Sequence, residues 1–360
     1  ATVGDALTPA ARDELLRRID ATHWHEVELL LSLSSPACRD DRAIVLRAVE
    51  KDAEALAHAS AALRGDRDVV QAALEGGGAP PRRRGAALEY ASSEIRNDRD
   101  MVMTSVRRDG WNLGFASAEL RGDRDCVWTA VQTNGCALRF ASEQLRGDRD
   151  LVLAAVRDNA RAMRYAGDRL LADRAFLLEA VETDAEALAV ILNKRPKLRT
   201  DRAFLLMAVQ RDGDALAYMG WKLRADRAFV LDAVARNGRA LPHCLKLRQQ
   251  DPAVVLAAVQ QNGRALKDAG RLRFSPDINR DIVLAAVQQD GAALQHALAL
   301  RGDRGVVLAA VQRTGAALQF ATRPLRGDAA IVAAAREQDG AALQFAAPAL
   351  KRQLQSQQEE

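Results

Sequence analysis

The chain has 360 residues, with 52 Lys plus Arg against 48 Asp plus Glu, and it is 48% hydrophobic and 4% aromatic. This composition can bury a large core and excludes a disordered chain, while the abundance of Ala, Leu, Val and Arg favours closely packed helices. The longest apolar stretch lies around Val27–Leu33, far short of the roughly 20 residues that span a bilayer, which excludes a transmembrane helix. Four cysteines without CxxC spacing predict neither a zinc site nor a disulfide framework.

The first 40 residues are expected to form a helical cap. The sequence predicts one helix over 8–20 and a second over 23–33, after which Ser-Ser-Pro at 34–36 breaks the chain. Because the sequence starts at Ala1 and not at Met, we expect removal of a leader or trimming of the chain.

From residue 41 onward a repeat of about 25 residues accounts for the chain. The repeats are aligned on the Asp of an Asp-Arg pair and start at Asp41, Asp66, Asp98, Asp123, Asp148, Asp173, Asp201, Asp226, Asp251, Asn279, Asp303 and Asp328. Two spacings of 28 and one of 32 mark three insertions among these twelve repeats. Each Asp is suited to cap a helix, and apolar residues follow at offsets three, four, seven and eight, the spacing of one α-helical face.

Offset twelve is usually Gly, and we expect it to take a positive φ that ends the first helix. A second helix is predicted to follow it, and the near-invariant Ala at offset seven is expected where two helices approach most closely. Helices this short are marginal alone and need neighbours. The sequence therefore predicts an all-α fold, a right-handed-type αα solenoid of about twelve short helical hairpins. The expected organisation is a cap over 1–40, a single elongated solenoid over 41–350 and a polar tail over 351–360.

The resemblance to a known family rests on the recurring unit LRxDRxxVLxAVxxNGxALxFAS, which resembles the repeat of the family called domain of unknown function 4116. It covers Asp41–Leu350, with departures at Pro252, at Asn279 in place of Asp, and at Arg336 in a core position. The resemblance implies an all-helical binding scaffold and offers no catalytic residue to transfer. Similar proteins occur in unicellular algae and some intracellular bacteria, which favours an organellar setting such as the plastid.

Arginine follows the Asp, or Asn279 in its place, in ten repeats and often also precedes this position by two residues. One interpretation is an arginine ladder that tracks a phosphate backbone. The nearly equal numbers of acids and bases favour the other interpretation, in which each Arg pairs with the Asp of its own or the next repeat.

The histidines favour packing over metal binding. His58, His243 and His296 all occupy offset seventeen, where other repeats have Phe or Tyr. His23 and His25 lie two residues apart, and we expect them to point to different sides of a helix. No Ser-His-Asp, Gly-rich phosphate loop or HExxH pattern is present, so the sequence predicts no metal, no cofactor, no catalytic residue and no enzyme.

The insertions at 75–85, 192–200 and 271–278 are the expected contact points for partners, because loops carry function more often than scaffolds do. The candidate partner-binding residues are Arg82, Arg83, Arg84, Lys194, Arg195, Lys197, Arg271, Arg273 and Phe274. An idle solvated loop is an equally good interpretation of the triple arginine.

Together these features predict a non-catalytic protein–protein interaction scaffold or linker subunit in a larger assembly, for example in a photosynthetic membrane complex of an alga. The expected partners are other proteins of such a complex, with peripheral membrane contact at most. The alternative is a helical-repeat protein that binds single-stranded RNA. Offset sixteen is too mixed and too apolar to read one base per repeat, so nucleic acid is the less favoured partner.

Overall fold

A computed structural model of the chain describes residues 7–76, 87–244, 246–270 and 274–352. The chain divides into two compact units, Ala1–Leu177 (the N-terminal unit) and Leu178–Glu360 (the C-terminal unit). The described residues form helices and connecting turns without a strand. The predicted all-α class is confirmed, and within each unit successive repeats pack on their neighbours as in a solenoid. No described helix combines the length and apolarity that crossing a bilayer requires.

Three short helices precede the first repeat, at Pro9–Ala21, Trp24–Ser32 and Pro36–Arg39. The first begins where the Thr8 hydroxyl accepts a hydrogen bond from the Ala11 amide, and the third where Ser35 accepts one from Cys38. Pro follows directly after both caps because it has no N–H to satisfy there. The two predicted helices of this segment are therefore present.

Every repeat opens with an α-helix. These first helices are Arg42–Lys51, Arg67–Glu75, Arg99–Val106, Arg124–Thr133, Arg149–Asp158, Arg174–Thr183, Arg202–Arg211, Arg227–Arg236, Pro252–Gln261, Pro276–Gln289, Arg304–Arg313 and Ala329–Gln338. All eleven predicted Asp caps accept hydrogen bonds from first-turn amides, as Asp148 does from Leu151 at 3.0 Å. Asn279 differs because its helix starts earlier, at a Ser275 cap, and Asn279 lies inside that helix.

The predicted second helix is divided into two shorter pieces. In most repeats the first of these pieces is a six-residue 3-10 helix. The elements that follow the first helices, one in each repeat, are Ala53–His58, Ala87–Tyr90, Gly110–Phe115, Gly135–Phe140, Ala160–Tyr165, Ala187–Lys194, Gly213–Tyr218, Gly238–His243, Gly263–Lys267, Gly291–His296, Gly315–Phe320 and Gly340–Phe345. The division arises because the chain is extended on both sides of the 3-10 helix, at Asn134 (φ −159°) and at Ala141 (ψ 152°) in the repeat that starts at Asp123.

A third short helix closes most repeats. These third helices are Leu63–Gly65, Ser93–Arg96, Leu120–Gly122, Glu143–Arg146, Asp168–Ala172, Pro196–Thr200, Trp221–Ala225, Leu247–Gln250, Leu298–Gly302 and Leu325–Gly327. They are joined between repeats by main-chain hydrogen bonds, such as the 2.9 Å bond from the Ser142 amide to the Arg121 carbonyl.

The prediction of a positive φ at offset twelve is wrong, since Gly270 is the only described glycine with a positive φ. A Cβ at Gly135 would lie 2.3 Å from the carbonyl oxygen of Ala155, which is the offset-seven Ala of the next repeat. Five other repeats show the same approach, at 2.1–2.5 Å. Glycine is used here because the 3-10 helix of one repeat rests on the first helix of the next. The close approach predicted at the offset-seven Ala is confirmed.

The core of each repeat lies between its first helix and its 3-10 helix. In the repeat that starts at Asp148, the side chains of Leu151, Val152, Val156 and Met163 are completely buried. Such burial contributes about 1.5–3 kcal/mol per large aliphatic side chain. Only neighbouring repeats can supply the other wall of this core, so each repeat depends on the next.

The last repeat has no following repeat among the described residues. Arg336, in a position that is apolar elsewhere, is exposed, and a Cβ at Gly340 would meet nothing within 4 Å. Leu343 is half-buried, whereas its counterpart Leu318 is completely buried. The polar substitution expected at this end is therefore on the surface.

Candidate functional site

The Asp-Arg pairs join successive repeats. Arg124 Nε lies 3.1 Å from Asp148 Oδ2 of the following repeat, and the same contact joins Arg42–Asp66, Arg67–Asp98, Arg99–Asp123, Arg149–Asp173, Arg202–Asp226, Arg227–Asp251, Arg280–Asp303 and Arg304–Asp328. A hydrogen bond from Arg202 keeps the pKa of Asp226 below its usual range. The pairing interpretation is confirmed for nine of the arginines that follow the cap, with the partner in the next repeat. Exposed pairs of this kind contribute about 0–1 kcal/mol each and fix the register of the repeats.

The expectation for the histidine pair is wrong. His23 precedes the helix Trp24–Ser32 as its N-cap residue, so its ring turns back, and its Nδ1 lies 2.6 Å from Nδ1 of His25. Both side chains are on the surface, and no third ligand lies with them among the described residues.

One group of described residues has the spacing of a possible metal site. Oxygens of Glu28, Asp52 and Glu54 all lie within 4.8 Å of one another, and His58 Nε2 lies 3.3 Å from Glu28 Oε1. Asp52 is completely buried and accepts the Glu54 amide at 3.1 Å, as the cap of a 3-10 helix. This local capping explains its place in the fold.

The buried thiols are poor nucleophiles. Burial raises the pKa of both Cys126 and Cys244 to about 12, so each thiol stays protonated at neutral pH. Both cysteines occupy core positions.

The predicted partner-binding residues differ in where they lie. Arg82, Arg83, Arg84, Arg271 and Arg273 lie outside the described residues. Lys194, Arg195 and Lys197 are all exposed and adjacent, at the turn between the helices Ala187–Lys194 and Pro196–Thr200. Phe274 is half-buried beside the later insertion, where its carbonyl accepts a hydrogen bond from Asn279.

A groove of about 700 Å³ opens beside the three exposed cations, within the C-terminal unit. Leu192, Leu205, Met219 and the rings of Tyr218 and Trp221 supply its apolar wall. Trp221 is 66% exposed and Tyr218 is 39% exposed.

Cations rim this groove. Lys222 Nζ lies 5.9 Å from the centre of the Trp221 ring, within reach of a cation–π interaction. Arg199 also lines the groove, and it donates to the Leu192 carbonyl at 3.0 Å and to Asn193 Oδ1 at 2.8 Å. An apolar floor with a basic rim is suited to a ligand that combines apolar and acidic groups.

The groove lies at the junction where three residues are inserted before Asp201. In regular repeats the amide at offset nineteen donates to the carbonyl of the Arg that precedes the capping Asp, as Ser142 does to Arg121. The corresponding bond from the Gly220 amide to the Arg199 carbonyl is not formed. The third helices on the two sides of this junction therefore lack the main-chain bond that joins regular repeats, and a Cβ at Gly220 would meet nothing within 4 Å.

Sequence reasoning missed Trp221, although the repeat alignment contained a signal for it. Trp221 stands at offset twenty, where regular repeats have small or polar residues such as Ala118, Glu143 and Asp168. A large aromatic residue at a position that is otherwise polar indicates a special surface. Comparing each position across the repeats would have identified it.

Comparison with known proteins identifies the repeat. A family model described as Domain of unknown function (DUF4116) matches seven overlapping segments, at 82–121, 98–146, 123–171, 148–194, 226–273, 251–301 and 279–326, which together cover more than half of the chain. Neither the curated proteins nor the solved structures provide a match. The capped first helix, the close-packed Gly and Ala and the paired Asp and Arg all recur at the period of these segments. The chain belongs to the DUF4116 family of helical repeats.

Proposed function

We propose that this chain is a non-catalytic scaffold that binds segments of partner proteins, and that the groove beside Trp221 is a docking site. The observation that carries the proposal is the 66% exposure of Trp221 at the edge of an apolar groove of about 700 Å³. Solvating a large aromatic ring at a concave apolar surface is unfavourable, and Trp is enriched among residues that dominate binding energy.

The rim specifies the partner's chemistry. Lys222 lines the groove, and Lys194, Arg195 and Lys197 lie along the chain between its lining residues Asn193 and Arg199. All four cations are exposed, and no ion pair joins any of them to another described residue. The occupant is therefore a partner segment with an apolar anchor for the groove and acidic residues for the rim. Charges at a rim contribute mainly to association rate and specificity, while the buried anchor supplies most of the affinity.

Selection of peptides from a random phage library against the full chain tests this proposal. We expect selected peptides to carry an aromatic or aliphatic anchor next to acidic residues. Trp221→Ser should weaken their binding about tenfold or more, since truncating a central Trp anchor costs about 2 kcal/mol or more. The charge reversals Lys194→Glu and Lys197→Glu should weaken it less and mainly slow association.

The matched control is Trp111→Ser, which removes another exposed Trp from the N-terminal unit. Peptides that bind equally well to the Trp221→Ser variant and to the unchanged chain would contradict a docking site in the groove.

A linker role in a photosynthetic membrane complex stays a prediction of the resemblance. Sedimentation of the endogenous protein, with and without RNase, tests it. A large particle that survives RNase and contains photosynthetic subunits is the expected result, and a small free species would contradict it.

A further inference from the structure

A second set of arginines in the N-terminal unit has no acidic partner among the described residues. These residues are Arg39, Arg64, Arg96, Arg121 and Arg146, one before each of the first five repeats, and we call them the arginine row. Each lies two residues before a capping Asp. The Nε atom of every one is buried and has no hydrogen-bond partner among the described residues. No ion pair joins any of the five to a described carboxylate.

The main chain holds the row in register. The carbonyl of each arginine accepts a hydrogen bond of 2.8–2.9 Å from an amide just before the third helix of the next repeat, from Ser60, Ser92, Ser117, Ser142 and Gly167 in turn. The row therefore advances by one helix layer per arginine, which is roughly 8–10 Å for packed helices.

The side chains are only half-buried, so the buried Nε belongs to a guanidinium whose outer nitrogens reach solvent. The aliphatic stem covers apolar surface, which any long side chain could do. A buried donor without a hydrogen-bond partner is unfavourable, and the row repeats this feature at five successive positions. The guanidinium also has a planar set of N–H donors, here called the fork, that can bind a carboxylate through two hydrogen bonds.

We propose that the arginine row binds an extended acidic polypeptide that carries a carboxylate at every third residue. A polyproline II chain has three residues per turn and a rise of about 3.1 Å per residue, so such carboxylates line one face at intervals of about 9 Å. This interval matches the layer spacing of the row.

The surroundings favour a peptide over a nucleic acid. Exposed acids lie close in sequence to three of these arginines, at Glu94, Glu119 and Glu143. A nucleic-acid strand has a phosphate at every nucleotide, one per about 3.4 Å in B-form. Such a strand would place about two phosphates between successive arginines, beside these carboxylates. A peptide with neutral residues between its acids avoids that repulsion.

Fluorescence anisotropy of a labelled peptide with five Glu-Pro-Pro units tests the proposal, using the full chain at low salt. We expect this peptide to bind about tenfold more tightly than an isomer with its five Glu residues contiguous, because only the regular spacing places one carboxylate at each successive guanidinium of the row. Equal binding of both peptides, or no binding of either, would overturn the proposal.

Variants then assign the site. The triple change R64Q/R96Q/R121Q should weaken binding about tenfold or more. The matched control R107Q/R108Q/R157Q removes the same charge from exposed positions outside the row and should have little effect. Equal losses in both variants would mean non-specific charge attraction and would refute the site.

Two further measurements keep the test decisive. R64K/R96K/R121K retains the charge and the stem but loses the fork, so it should bind more weakly than the unchanged chain while its thermal midpoint stays close to that of the unchanged chain. A labelled fifteen-nucleotide uridylate that binds more tightly than the regular peptide, and loses binding in R64Q/R96Q/R121Q, would reassign the row to nucleic acid.

Trp221→Ser should leave peptide binding to the row unchanged, which separates this inference from the groove.

Discussion

Two junctions between repeats differ by three inserted residues. At the regular junction around Arg121 in the N-terminal unit, the Ser142 amide donates to the Arg121 carbonyl and the third helices are joined. At the junction around Arg199 in the C-terminal unit, the bond is absent and a groove of about 700 Å³ opens beside Trp221.

The caps of the first helices are kept at both junctions, where Asp123 accepts a hydrogen bond from the Cys126 amide and Asp201 accepts one from the Phe204 amide, each at 2.9 Å. The next junction along the chain also keeps its ion pair in both cases, from Arg124 to Asp148 at 3.1 Å and from Arg202 to Asp226 at 2.8 Å. A short insertion on one edge can therefore accompany a binding surface while the first helices keep their caps. A repeat array can acquire a specific site in this way without a new fold.

The largest effect is expected where repeats make their closest contact. Gly135→Val should lower the free energy of unfolding by about 1–3 kcal/mol, because its side chain would overlap the Ala155 carbonyl of the next repeat. Ala53 and Ala160 occupy this position in other repeats, so the larger Val is the sharper test. Urea unfolding followed by circular dichroism measures the effect.

Gly340→Val is the matched control, because Gly340 has the same position in its repeat and no neighbour within 4 Å of a Cβ. We expect a change of about 0.5 kcal/mol or less. Equal destabilisation at both sites would show that the contact with the next repeat is not the cause.

An intermediate effect is expected at the caps. Asp123→Ala at the regular junction and Asp201→Ala at the open junction should each cost about 1 kcal/mol, because each removes the cap of a first helix. Similar losses in urea unfolding would show that the first helix is held equally well at both junctions. A much smaller loss for Asp201→Ala would show that the open junction also weakens the first helix.

Acid should weaken both units through the same pairs. Hydrogen bonds from Arg42 and Arg202 lower the pKa of Asp66 and Asp226, so the folded pKa lies below the unfolded value of about 3.9. The stabilisation is complete above that value and is lost as the pH falls through the folded pKa. Thermal midpoints between pH 6 and pH 2 should therefore decrease in this acid range. Asp226→Asn should reduce the pH dependence, and an unchanged profile would contradict the assignment.

The smallest effect on stability is expected at the groove. Because Trp221 is 66% exposed, Trp221→Ser should change the free energy of unfolding by about 0.5 kcal/mol or less. Differential scanning fluorimetry measures this. A large loss in the free energy of unfolding would mean that Trp221 stabilises the fold. Its place at the open junction would then be explained by packing and not by binding.

The sequence predicted those parts of the structure that depend on near neighbours along the chain. A cap such as Asp148 bonds amides two and three residues ahead, and the apolar face of its helix follows from a spacing of three and four residues. Both are visible in a single repeat. The cations Lys194, Arg195 and Lys197 were found for a similar reason, because the insertion interrupts the period of the repeat.

Only the tertiary structure decided which residues meet across repeats. Gly135 resembles a helix terminator in sequence, and its close approach to Ala155 emerges only when the next repeat is in place. The groove beside Trp221 likewise depends on a main-chain bond that Gly220 and Arg199, 21 residues apart, do not form. Local periodicity fixes each helix and its cap, but the contacts that close or open a junction join residues twenty or more positions apart, and their geometry is set by how the layers stack.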